Sequence, residues 1–336
     1  MANFQKLLVL IRIVFALCIV SIKESSGQSS SLTAFYTAPV VSMAPMWIAK
    51  EAGFFKKQGL DVKLVFIASG PLGTTSILSG DVDVGIIGGF APVRAIAGGA
   101  KNLVMIGQSK NRMTGAIVGK KEIASVQELK GKRLGIDRIG SNPDMFTQAA
   151  LARFNMDPLK DLNYVQLGSI GQGIPALKAG TIDALTTSAP HDLFAQRLGY
   201  KVILDITALK IPFASTVLLS ARNTVERKQA DLTKFMRAYA EAMHYFLTNA
   251  EGTTQIVAKY TKVEDRDVNA YAIDSESKAV EKTLQIDPKG IELILALISK
   301  SMPQAASAKT EEFYDPRFFT ELRESGFLKR LWGEKL

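Results

Sequence analysis

A block of 27 residues, 65–91, recurs one hundred positions later as 165–191. Val65 matches Val165, Ser69 matches Ser169, Gly73 matches Gly173, Gly80 matches Gly180 and Asp83 matches Asp183. The phase also holds outside the block, at Phe54 and Phe154, Asp61 and Asp161, and Gly99 and Gly199. Each copy reads as an apolar strand, a Ser/Gly turn, a short helix, a second apolar strand and another small-residue turn. Two α/β units of one local design follow, each with polar turns at the C-terminal ends of its strands. At 336 residues the chain exceeds what one hydrophobic core fills, which also argues for two lobes.

Taken in order, residues 32–37, 60–67, 82–87 and 103–107 read as strands. Helices are expected at 43–52, with Ser42 as cap and Pro45 in the first turn, and at 71–78 and 90–97. An extended stretch at 113–121 and a capping box at residues 125–128 lead to a strand at 132–136. A helix capped by Ser141 follows, with strands at 163–167, 201–206 and 217–220. Strands alternating with helices predict a parallel, doubly wound sheet in each lobe. Beyond residue 222 the pattern turns helical, at 227–247, 253–260, 267–279 and from Asp287-Pro288 to 300, and an aromatic tail over 313–332 is expected to pack back. The predicted organisation is lobe I from 28–113 and 217–336, and lobe II from 114–216. Two strands cross between them as a hinge, with a cleft between the lobes.

The first 27 residues have the three-part layout of a secretory signal peptide: a basic Lys6, an apolar run over 7–20, and Ser25-Ser26-Gly27 for cleavage. Arg12 within the run argues against a membrane anchor. Cys18, the only cysteine, lies in this run without the preceding small residue of a lipoprotein. The remaining chain can form no internal disulfide and no Cys-ligated metal site. The formal charge is +9, and +7 once Lys6, Arg12, Lys23 and Glu24 leave with the leader. The basic residues are scattered and no Arg/aromatic stripe accompanies them, so no nucleic-acid partner is expected.

In such sheets ligands sit beyond the C-terminal strand ends, where helix N-termini offer unpaired N–H groups. The candidate binding residues are therefore Thr37, Ser42, Ser69, Gly70, Gly88, Gly89, Phe90, Ser141, Asn142, Ser169, Gly171, Ser188 and His191. The alternative reading of these turns is helix capping alone. Asp83 and Asp183 fall at the opposite strand ends and are expected to be structural. His191 and His244 are the only histidines, His244 being placed on an amphipathic helix as a structural residue. No Gly-x-Ser-x-Gly elbow, phosphate loop or zinc ligand set is present, so no catalytic residue, metal or cofactor is expected. Tyr36, Trp47 and Phe90 are aromatic residues for the cleft or the core.

The run Pro45-Met46-Trp47-Ile48-Ala49-Lys50-Glu51-Ala52-Gly53-Phe54-Phe55, followed by Gly59-Leu60-Asp61-Val62, resembles the opening signature of nitrate/sulfonate/taurine-type periplasmic solute-binding proteins. That family includes relatives of the thiamine-pyrimidine synthases. Leu78-Ser79-Gly80-Asp81-Val82-Asp83 and Leu129-Lys130-Gly131-Lys132-Arg133-Leu134-Gly135 are similar to it as well, and the resemblance spans residues 32–332. It implies a type 2 periplasmic binding protein fold, a monomer without enzymatic activity, and closure on a small polar or anionic solute. The solute would be delivered to an inner-membrane ABC permease with its ATPase. No Arg lies in the turns themselves, so an anion would be held by backbone N–H groups, hydroxyls, or Arg94, Arg112 or Arg138 reaching in. Two alternatives share the fold: a pyrimidine-synthase-like enzyme, which no His-rich or Cys-rich segment supports, and a solute-sensing subunit of a membrane receptor.

Overall fold

The computed structural model describes residues 30–333. The predicted signal peptide over 1–27 lies outside the described residues. Ten strands form two five-stranded sheets. The first contains β1 (Ser30–Tyr36), β2 (Leu60–Phe66), β3 (Val84–Ile87), β4 (Leu103–Arg112) and the late strand β10 (Pro212–Ala221), in the order β2-β1-β3-β10-β4. The second contains β5 (Ala116–Gly119), β6 (Arg133–Ile136), β7 (Asn163–Gln166), β8 (Ala184–Thr187) and β9 (Lys201–Asp205), in the order β7-β6-β8-β5-β9. Every residue of β3, β5 and β8 is buried, as expected for strands covered on both faces.

The sheets are mixed rather than parallel throughout. β1 runs parallel to β3, and β6 parallel to β7 and β8. β10, however, lies antiparallel to β3 and β4, and β5 antiparallel to β8 and β9. The connectivity explains the reversal. β10 starts opposite the residue where β4 stops, Pro212 pairing with Arg112. Ala116 at the start of β5 likewise pairs with Asp205 at the end of β9. A chain that leaves one sheet and returns beside its own exit must run against it. Residues 113–115 and 206–211 cross side by side. Met113 N donates to Ile211 O at 3.0 Å, Ile206 N to Gly115 O at 3.0 Å and Gly115 N to Thr207 Oγ1 at 2.9 Å.

The hundred-residue phase survives as a shared wiring. Asp83 N donates to Thr33 O at 2.8 Å, and Thr33 N donates back to Asp83 Oδ2 at 2.9 Å. Asp183 makes the same exchange with Arg133, at 2.8 and 3.1 Å. Each aspartate thus ties its strand to a neighbour, and each meets a lysine, Lys228 at 2.8 Å or Lys120 at 2.6 Å. Gly73 and Gly173 let a helix approach the sheet closely, since a Cβ there would sit 2.4 Å from the Phe35 ring or from Leu185.

The guanidinium of Arg133, doubly bonded to Asp183, holds that carboxyl well below the usual carboxylate range, with Lys120 adding to the effect. A depressed folded-state value stabilises the fold fully above the unfolded value of about 3.9, and the benefit fades as the pH falls towards the folded value. The stability gap between wild type and Asp183→Asn should therefore be constant above about pH 5 and narrow progressively below about pH 4. Urea denaturation at stepped pH measures it; a gap that stays constant down to about pH 3 would remove Asp183 from the acid response.

The helices that matter for the cleft are α1 (Ala44–Glu51), α2 (Gly70–Ser79), α3 (Phe90–Ala97), α4 (Asn142–Ala152), α5 (Gly173–Lys178) and α6 (His191–Arg197). Ser42 does not cap α1; it lies inside a 3-10 turn, Val41–Met43, that precedes it. The capping box does not form: Glu128 accepts from Ala124 N at 2.9 Å and from Ser125 Oγ at 3.3 Å, so Ser125 donates rather than capping, and only a 3-10 turn without a side-chain cap follows. The late helices α7 (Gln229–Thr248), α8 (Ala250–Thr261), α9 (Arg266–Ser277) and α10 (Pro288–Ser299) include the apolar faces that pack on the first sheet. The aromatic tail packs back as expected, with Phe313, Phe318, Phe319 and Leu328 buried. Among the described residues no helix is long and apolar enough to cross a membrane.

Candidate functional site

A cleft of about 200 Å³ opens where strand ends of both sheets meet. A water needs only about 10–15 Å³ on this measure, so the space suits an organic solute. Thr37 after β1, Ser69 and Gly70 after β2, and Gly88 after β3 line it from the first sheet. Asp137, Arg138 and Gly140 to Pro143 after β6, Gly168 to Ile170 after β7, and Thr186 to Ser188 at the end of β8 line it from the second. Lys110 and Thr114, with Ser215 and Thr216, come from the crossing strands and their connections.

Local chemistry shapes these turns. Ser141 caps α4 by accepting from Asp144 N at 3.4 Å, while its own hydroxyl donates to Asp137 Oδ1. Pro143 sits in the first turn, where its missing N–H costs nothing. The α2 and α4 N-termini both end at the cleft, bringing unpaired N–H groups and a partial positive charge with them. Ser69 holds φ at 110°, a region that costs a non-glycine residue about 1–3 kcal/mol, whereas in the second copy Gly168 takes the positive φ and Ser169 stays extended. Strain retained by a cleft serine marks this turn as one whose position matters more than its comfort.

Of the two basic side chains that line the cleft, Lys110 is committed, whereas Arg138 spends only Nε on a carbonyl and keeps its charge. Lys110 Nζ donates to Thr114 Oγ1 at 2.9 Å and to both Glu276 oxygens at 2.9 and 3.2 Å, with both side chains buried. Arg138 Nε donates to Gly168 O at 3.0 Å. Burial pushes the Asp137 carboxyl up, opposed by the hydrogen bond from Ser141. Asn142 Nδ2 spans from the second wall to Ser215 O at 2.7 Å. Gly88 stands so near that a Cβ there would fall 2.6 Å from Asn142 Oδ1. Among the buried side-chain oxygens of the cleft-lining residues, Thr187 Oγ1 and Asn142 Oδ1 have no protein partner.

Nine of the thirteen predicted binding residues line this cleft: Thr37, Ser42, Ser69, Gly70, Gly88, Ser141, Asn142, Ser169 and Ser188. Four do not. Gly89 is turned onto β10, donating to Ala214 O at 2.9 Å, and a side chain there would strike that oxygen. Phe90 begins α3 inside the core at 3% exposure. Gly171 sits in the 3-10 turn Ile170–Gln172, past the lining residue Ile170. His191 starts α6 edge-on to Phe194, and burial lowers its pKa. Trp47 is fully buried in the core, and of the three candidate arginines only Arg138 lines the cleft.

Sequence reasoning missed Phe66, Lys110, Thr114, Asp137, Ser215 and Thr216. One signal was available: Gln108, Ser109 and Lys110 continue β4 beyond Gly107, polar residues ending an apolar strand that enters the crossing. Phe66 carried none, because it alternates within β2 as a core residue would.

Residues 41–252 match the family described as NMT1/THI5 like. The Bacillus subtilis protein YtlA, named as a candidate binding protein, is 24% identical over 288 residues, covering 82% of this chain and 85% of YtlA. In three dimensions the chain is similar to the periplasmic aliphatic sulphonate binding protein SsuA from Escherichia coli. The TM-score is 0.72 at 20% identity, over 85% of this chain and 92% of SsuA. It is also similar to the periplasmic nitrate-binding protein NrtA from Synechocystis, with a TM-score of 0.72 at 15% identity and 89% of each chain covered. With well over half its length matched and both sheets in this arrangement, the chain belongs to the NMT1/THI5-like family and has the type 2 periplasmic binding protein fold.

Proposed function

We propose that the protein is the exported solute-binding component of an ABC-type importer. Lobe I (28–113 and 217–336) and lobe II (114–216) close on a small polar or anionic solute of the sulfonate, nitrate or taurine class. The closed form is then recognised by an inner-membrane permease with its ATPase. The carrying observation is a single cleft that draws hydroxyl and glycine turns, and two helix N-termini, from strand ends of both sheets. A solute held by both walls binds the closed arrangement better than an open one, so its binding free energy shifts the population towards closure. The paired crossings at 113–115 and 206–211 are the natural axis for that motion. The solutes for which SsuA and NrtA are named motivate the solute class.

The reading places the protein in the periplasm as a monomer, its leader removed near Gly27, and assigns it no catalysis. Neither histidine supplies a general base there, since His191 and His244 are both outside the cleft lining. Thermal unfolding in the presence of sulfonates, nitrate, carboxylates and pyrimidines tests this. A true solute at about one hundred times its Kd should raise the Tm by several degrees, with the solute recovered unchanged. Product formation from the bound compound would replace this reading with an enzymatic one.

A further inference from the structure

Phe66 is a large apolar residue left open in the cleft. It ends β2 at 52% exposure on the wall contributed by the first sheet. The ring is not loose. It lies 5.3 Å from Tyr36, which meets Trp47 edge-on at 5.5 Å, and Trp47 stacks on Tyr260 at 4.7 Å and 8°. Trp47 has no exposed surface, so the stack is anchored in the core and Phe66 is its terminal ring. The second sheet's wall answers with Phe146, Pro143 and Ile170.

The polar end is equally particular. Lys110 is neutralised by Glu276, whereas Arg138 gives only Nε to a backbone carbonyl and keeps its charge for an acidic head group. Ser215 Oγ is committed, donating to Arg112 O at 2.6 Å. Thr187, only 3% exposed, lines the cleft and holds a buried hydroxyl that has no protein partner. Such a group is normally satisfied by something, and here a bound solute can supply the partner. A small inorganic oxyanion would leave the aromatic end of the cleft wet. An amphipathic solute covers both ends.

We propose, building on the solute-binding reading, that the solute carries an aromatic ring which stacks on Phe66, with a polar or acidic head group bonded at Thr187 and the neighbouring hydroxyl turns. Phe66 is then the residue that selects the solute's body. A core-anchored ring can form an offset or edge-on pair with little loss of side-chain freedom.

Isothermal titration of the purified chain with matched probes tests the proposal: benzoate against acetate, and benzenesulfonate against methanesulfonate. The aryl member of each pair is expected to bind at least about tenfold more tightly. Phe66→Ala should erase that preference, Phe66→Leu should reduce it by removing the ring while keeping apolar bulk, and Phe66→Tyr should preserve it. Phe66→Leu carries the test should the alanine variant fail to fold. Alkyl probes binding as tightly as their aryl partners, or an aryl preference untouched in Phe66→Ala and Phe66→Leu, overturns the ring proposal and leaves the solute-binding reading standing. No heat of binding from any of the four probes overturns the ring proposal, and the thermal screen above then decides separately whether the cleft binds a solute at all.

Discussion

Replacing Lys110 by alanine should destabilise the protein by about 3–5 kcal/mol. Lys110 and Glu276 are 9% and 8% exposed, and the ammonium contacts both carboxylate oxygens. Removing the lysine leaves the buried Glu276 carboxylate with no counter-charge. Two buried charges cost much to desolvate, so the intact pair is worth far less than the damage from breaking it. The double replacement Lys110→Met with Glu276→Leu should accordingly recover most of the loss. Urea denaturation gives both quantities, with an unchanged slope showing that the unfolded state is comparable. A single-variant loss below about 1 kcal/mol would mean that the pair behaves as a surface ion pair. Because Lys110 lines the cleft while Glu276 belongs to α9, the pair also ties a late helix to the cleft floor.

Gly115→Ala should cost about 3 kcal/mol, through two separate effects. Gly115 has φ of 134°, where an L side chain is strained, and a Cβ would lie 2.5 Å from Thr187 O. The backbone cannot turn away freely, since its N–H and carbonyl are bonded across the crossing to Thr207 and Ile206. Gly131 supplies the control. It has φ of 71° and nothing within 4 Å of the place a Cβ would take, so Gly131→Ala isolates backbone strain at about 1 kcal/mol. Thermal and urea unfolding of the two variants should separate them clearly. Equal losses would show that the contact with Thr187 relaxes without cost. Since Thr187 borders the cleft, Gly115→Ala should also weaken whatever solute the cleft binds.

The hundred-residue phase made much of the framework legible. Asp83 and Asp183 recur because each exchanges two hydrogen bonds with the neighbouring strand, a local rule that leaves a local trace. Ser141, Asn142, Ser69 and Gly70 were readable for the same reason, since a strand end followed by a helix start has a sequence signature. Gly89, Phe90, Gly171 and His191 belong to those turns but lie off the cleft lining, since one residue along a turn is enough to change what the chain presents there. Sequence position within a turn does not carry that direction.

What the amino-acid order determined by itself was therefore periodic and short-range: alternating strands and helices, two copies of one α/β unit, the caps and glycine turns, and the family signature. Only the tertiary structure decided the antiparallel placement of β5 and β10, because that follows from the chain returning beside its own exit rather than from any residue in those strands. Only tertiary packing could also bring Lys110 to Glu276, 166 positions away, and leave Phe66 open at the end of a ring stack. Contacts between distant segments depend on where whole elements dock, and hydrophobic burial, being non-directional, does not encode that docking in any one stretch of chain.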